Sequence, residues 1–191
     1  MAKIGLSNYR YSKLTESSDG KATYDGPHTP GKAVSCKLSV KNNDATLYAD
    51  DSLAESDYSF NNATLTVEID EDDPQTMADL LGHKTVAGDD GSSVEIIRNS
   101  NDTAPYVGWG RVITKVVNGA YKYKVEFFYK VKFSEPSQED KTKGDKVDFT
   151  TTEIEGVASS LANGDWSKAK TFNTKQEAIT YLEGLMAKTS I

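Results

Sequence analysis

Acid–base, nucleophilic or metal chemistry needs imidazole, thiolate or carboxylate groups that converge, and few residues of this chain suit it. There are two histidines and one cysteine among 191 residues. His28 lies in a Pro/Gly-rich stretch and His83 directly follows Gly82, so both read as solvated loop residues. A metal site would need carboxylates brought to them by the fold. Cys36 alternates with Val34, Leu38 and Val40, which predicts a buried structural thiol rather than a nucleophile. A lone cysteine also excludes an intrachain disulfide. Carboxylates cluster at Asp70-Glu-Asp-Asp73 and Asp89-Asp90, without the ligand spacing of an EF-hand loop. The first run precedes Pro74, where carboxylates complement a helix dipole and Asp73 supplies the cap. Asp50, Asp51, Glu55 and Asp57 read as a solvated acidic surface. No Gly-rich phosphate loop, serine elbow or Cys–His arrangement occurs. The reading is therefore no enzyme, no cofactor and no metal.

Composition sets the frame for the elements that position these residues. Charged residues make up 27% and apolar residues 37%, the balance of a soluble globular domain, here read as one domain over 1–191. The net charge of −7 argues against non-specific nucleic-acid binding on the outer surface. The first residues lack the apolar core of a signal peptide, and no segment is apolar enough to span a bilayer. A protein made in a cytoplasm and needing no membrane is the expectation.

The strongest local pattern is one long β-hairpin over residues 106–133, turned by Asn118-Gly119. Both turn residues tolerate the positive φ of a type I′ turn. Tyr121, Tyr123, Val125, Phe127, Tyr129, Val131 and Phe133 alternate onto one face. Lys122, Lys124, Glu126, Lys130 and Lys132 take the other, interrupted by Phe128. A two-residue loop fixes the register. Gly110 should oppose Phe127, Gly108 Tyr129, Arg111 Glu126, and Trp109 Phe128. Glycine opposite an aromatic ring and Arg opposite Glu are both favourable pairs.

Around the hairpin, residues 9–15 and 32–41 read as strands, with Asn42-Asn43-Asp44 as a turn and 46–50 as the partner of the second. Residues 59–70 form another strand, with Leu65, Val67 and Ile69 inward and Thr64, Thr66, Glu68 and Asp70 outward. Residues 91–98 lie between a first helix and the hairpin, and 147–161 read as a further strand. The stretch 16–31 reads as a loop long enough to have a function, and 134–146 as a mobile polar loop. One helix starts at Asp73-Pro74 and stops at Gly82; a C-terminal helix, 174–187, opens with a Thr174/Glu177 capping box. The fold class is mainly β with one or two helices, α+β.

The order of these pieces resembles a known family. Lys37-Leu-Ser-Val-Lys-Asn-Asn-Asp-Ala-Thr-Leu-Tyr-Ala-Asp-Asp-Ser52, Phe60-Asn-Asn-Ala-Thr-Leu-Thr-Val67 and Met77-Ala-Asp-Leu-Leu-Gly-His83 carry the likeness. So do Tyr106-Val-Gly-Trp-Gly110, the Tyr/Phe/Lys strand after it, and Val147-Asp-Phe-Thr-Thr-Thr-Glu-Ile-Glu-Gly156. Together they resemble the major tail protein of long-tailed, non-contractile phages of Gram-positive hosts, over roughly residues 2–186. The resemblance implies a β-sandwich or barrel-like core flanked by a helix. It also implies homo-hexameric rings stacked into a tail tube, with DNA passing transiently and without specific binding. The location it implies is the virion tail, assembled in the host cytoplasm, and the further partners are a tape measure protein and a tail terminator.

On that resemblance, Glu68 and Asp70 are expected to face the lumen, where negative charge would let DNA slide. Asp19, Lys21, Tyr24, Asp25 and His28, in the loop 17–31, are expected at an inter-ring contact. Trp109, Phe128, Arg111 and Glu126 are expected to form a subunit seam, so that Trp109→Glu would block assembly and leave the monomer folded. The competing reading is a host- or carbohydrate-binding β-module using Trp109 and Phe128 as an open platform.

Overall fold

The computed structural model describes residues 2–17, 21–49, 52–71, 73–88, 93–138 and 151–187. In chain order its elements are β1 (Ala2–Glu16), β2 (Ala22–Tyr24), β3 (Ala33–Ala49), β4 (Ser52–Ile69), α1 (Pro74–Leu81), β5 (Lys84–Ala87), β6 (Val94–Ile97), β7 (Val107–Val117), β8 (Ala120–Phe133), β9 (Thr152–Ser159), β10 (Ser167–Phe172) and α2 (Lys175–Leu185). The main sheet is antiparallel in the order β2-β1-β7-β8-β9-β4-β3, with β10 joining β8, and β5 and β6 form a separate hairpin. The chain is mainly β with two helices, as the periodicity predicts.

The β7–β8 hairpin turns on Asn118 at φ 51° and Gly119 at φ 78°, the left-handed pair of a type I′ turn. Gly110 opposes Phe127, Arg111 opposes Glu126 and Trp109 opposes Phe128, as expected. The expected Gly108–Tyr129 pair does not form. Val107 pairs instead with Val131, which leaves Tyr129 and Lys130 bulged opposite Gly108. An extra residue reverses the side-chain alternation. Val125, Phe127 and Tyr129 therefore join a core beneath α2, whereas Val131 and Phe133 turn to the opposite core with Trp109 and Phe128. The seven apolar residues predicted on one face of this strand are divided between two.

The larger core gathers Tyr9, Leu65, Val67, Ile69, Trp109, Phe128 and Ile154, and α1 closes one side with Met77, Leu80 and Leu81. The sheet curls so that its sequence-distant strands meet: Tyr9 on β1 donates its hydroxyl to the Ser35 carbonyl on β3 at 2.6 Å. The smaller core lies under α2, whose Ala178, Leu182 and Met186 are fully buried. A methyl group on Gly110 would stand 2.2 Å from Leu182 Cδ1, so the bare strand there lets the helix approach.

Both helix starts behave as read. Asp73 accepts from the Thr76 amide at 2.9 Å, and Thr174 and Glu177 form the complete capping box. Gly82 ends α1 at φ 79°, and a Cβ there would lie 2.3 Å from the Thr103 carbonyl oxygen, a backbone atom. Gly82→Ala should therefore lower stability by about 2 kcal/mol or more, from left-handed strain plus a backbone clash. A urea midpoint unchanged from the parent would contradict this.

Other expectations are revised. Asn42-Asn43-Asp44 is no turn: β3 runs through it and pairs with β4 from Ala33–Ile69 out to Ala49–Ser52, so 46–50 is not a partner of 32–41. The pairing has three register shifts, after Ala33, after Lys41 and after Leu47. The first displaces Val34 outward; Val34 and Val40 are both 45% exposed, while Ala33, Cys36 and Leu38 face the core. The supposed loop 16–31 contains β2, and the first strand starts at Ala2 rather than residue 9. Asp19, Asp50, Asp51, Asp72, Asp89, Asp90, Gly91 and residues 139–150 lie outside the described residues.

Candidate functional site

Where β1 faces β3 the curled sheet leaves a cleft of about 440 Å³, lined by Lys3, Gly5 and Leu6 on one side and Cys36 and Leu38 on the other. Its floor is the Arg111–Glu126 rung of β7 and β8. Arg111 donates from Nε at 3.0 Å and Nη2 at 2.7 Å to Glu126 Oε2, and Lys124 donates to Oε1. The guanidinium also donates to the Cys36 carbonyl at 3.3 Å and lies 5.9 Å from the Phe128 ring centroid. Burial pushes the Glu126 carboxyl up, but the Lys124 hydrogen bond and the Arg111 charge outweigh it and hold the group below its ordinary range. Burial raises the Cys36 thiol, and Arg111 and Tyr9 offset only part of that. A protonated thiol beside a carboxylate with both oxygens engaged offers neither nucleophile nor base.

The four residues expected at a subunit seam do meet, but inside the subunit. Trp109 is 0% and Phe128 1% exposed, and Arg111 is buried with them. Tyr9 and Phe133 pack on the Trp109 ring at 5.2 and 5.1 Å between centroids. The physical reason is the curl: the face that looked wet from its lysines turns concave at Trp109 and becomes the main core. Neither a seam nor an open glycan platform can use a pair that has no surface.

The predicted inter-ring loop is largely tied to β1. Tyr24 is 2% exposed and donates its hydroxyl to the Tyr129 carbonyl at 2.8 Å, so it is a core residue. Asp25 accepts from the Ser12 hydroxyl and the Lys13 amide, each at 2.8 Å. His28 bridges to Tyr11 through backbone bonds and keeps its ring half-exposed, 3.6 Å from Asp25. The Lys21 carbonyl accepts from the Ser17 amide at 2.9 Å. His83 is not solvated either. Its side chain is 5% exposed between Asp102, 2.8 Å from Nδ1, and Glu135 at Nε2. The His83 hydrogen bond, with the Asn99 amide, holds Asp102 below its ordinary range. No group of three metal-ligating residues converges among the described residues.

Glu68 and Asp70 stand on the polar side of β4. Glu68 lies directly across from Glu153 on β9, with Glu155 one rung on. Thr151 and Ser35 hydroxyls hold the Glu68 carboxyl low. Asp70 accepts from the Lys32 amide at 2.7 Å and pairs with its ammonium at 3.4 Å. Lys37 lies on the same face, opposite Thr66, so the strip is acidic at one end only.

One large feature escapes sequence reasoning. β9 covers β4 only from Ala63 onward, so beyond it β3 and β4 continue as a two-stranded arm with no third strand among the described residues. At its root Phe60 stacks on Trp166, 4.3 Å between centroids and 11° from parallel. Tyr58, further out, is 64% exposed. β3 is also the last strand of the sheet, with no further strand paired along its outer edge among the described residues. The available signal was the lack of Gly or Pro anywhere from 33 to 69, which argues for uninterrupted strand. The Asn-Asn-Asp triplet masks it.

No known family model matches the chain, and no curated protein is similar to it in sequence. Among the described residues, no helix is long and apolar enough to cross a membrane.

Proposed function

We propose that this chain is a self-assembling structural subunit of a virion, the tail-tube protein of a long-tailed, non-contractile phage, in which stacked rings of copies enclose a channel for DNA. The observation that carries this reading is the unused pairing capacity of β3 and the arm. A two-stranded ribbon is marginally stable by itself in water, and a long open edge is a template for further strands. Both features call for a protein neighbour, and copies of the same chain supply one at every position of a ring. The acidic end of the strip at Glu68, Glu153 and Glu155, with Asp70 at its border, suits a lumen that repels phosphates. A tape measure protein and a tail terminator complete the partner set, and hexameric rings in the virion tail follow from the family likeness.

Negative-stain microscopy with sedimentation tests this. Rings or tubes of uniform width are expected as concentration rises. A chain that stays monomeric at every concentration and ionic strength overturns the reading.

A further inference from the structure

The strand registers bring lysines into line beside the cleft. Lys3 on β1 lies directly across from Lys115 on β7, and Lys115 directly across from Lys122 on β8. Two residues along the same face, the next rung is Ile113–Lys124, and beyond it is Arg111–Glu126. Among the described residues on these rungs Glu126 is the one carboxylate, and its oxygens are taken by Arg111 and Lys124. Like charges directly opposite destabilise a strand pair. A row of them across three strands weakens the free subunit and favours an anionic partner.

The chain itself carries such a partner. The arm strands over 42–49 and 52–61 carry Asp44, Glu55 and Asp57 and no lysine or arginine. Among the described residues the arm has no third strand beside it, and the lysine row flanks an open cleft. We propose that the row Lys3–Lys115–Lys122 is the receptor for the acidic arm of a second copy of this chain. The contact is heterologous, arm to lysine row, and so repeats from copy to copy into rings or filaments. This inference rests on the self-assembly reading and specifies its contact. Phosphates would be drawn to the same charges, but the net charge of −7 opposes a nucleic-acid partner.

Charge reversal on each side tests it. Lys115→Glu with Lys122→Glu, or Asp44→Lys with Asp57→Lys, should raise the concentration needed for assembly about tenfold or more, because like charges then meet across the contact. All four substitutions in one chain should restore assembly. Circular dichroism and melting should show every variant folded, and wild-type assembly should weaken with added salt. Wild-type-like assembly by either two-site variant overturns the receptor assignment while leaving the self-assembly reading standing, and so does a four-site variant that stays monomeric. Binding of a DNA duplex by the wild type, lost in the Lys115/Lys122 variant, reassigns the row to nucleic acid. A wild type that never assembles removes the self-assembly reading itself.

Discussion

Trp109→Glu should yield no folded subunit at all, rather than a folded one that cannot assemble. The indole is fully buried between Tyr9, Phe128 and Phe133, in the main core of a curled sheet. Removing the ring alone, as Trp109→Ala, costs about 3–5 kcal/mol, a large part of the roughly 5–15 kcal/mol that holds a domain folded. A carboxylate adds the penalty of burying an unpaired charge. The expected result is loss of the near-ultraviolet dichroism of packed aromatics and, for the alanine variant, a much reduced urea midpoint. A native-like spectrum for Trp109→Glu would contradict the placement of this side chain in the core.

The second large effect is at the cleft floor. Glu126→Ala leaves the Arg111 guanidinium, 6% exposed at its side chain, without its carboxylate. Breaking one partner of a buried pair costs about 3–5 kcal/mol. Arg111→Ala should cost less, because Lys124 still neutralises Glu126. Replacing both Arg111 and Glu126 by apolar residues of similar volume should recover most of the loss, as buried pairs often yield little net stability over a packed apolar core. The pH dependence has a definite sign. The folded Glu126 carboxyl is held low, so its contribution is present above the unfolded value, about 4.3, and is lost as pH falls through the folded value. The stability gap between wild type and Glu126→Gln should therefore narrow on acidification below about pH 4. A constant gap down to the acid limit would contradict the ion pair as its source.

Local chemistry made much of this chain legible without coordinates. The Asn118-Gly119 turn specifies its own backbone, and a two-residue loop leaves one register, so the rungs Trp109–Phe128 and Arg111–Glu126 could be written in advance. Asp73 with Pro74 and Thr174 with Glu177 satisfy helix-start amides within three residues of themselves. In each case the partners are sequence neighbours, and the geometry depends on little else.

Long-range geometry lies outside that reach. A single bulged residue near Tyr129 reverses every later side chain of β8, and the one break in its alternating pattern, Phe128, stands beside the place without giving the direction of the shift. Curling of the sheet, which joins Tyr9 to Ser35 and Arg111 to Cys36, turns a face striped with lysines into a core around Trp109. Strand pairing aligns Lys3, more than a hundred positions away, with Lys115 and Lys122, and β9 ends short of the arm. Residues 106–133 thus declare their partners and rungs by turn chemistry alone. Which side of those rungs is dry, and what else is pressed against it, depends on strands far away in the chain, because burial is a property of the curled sheet and not of any one strand.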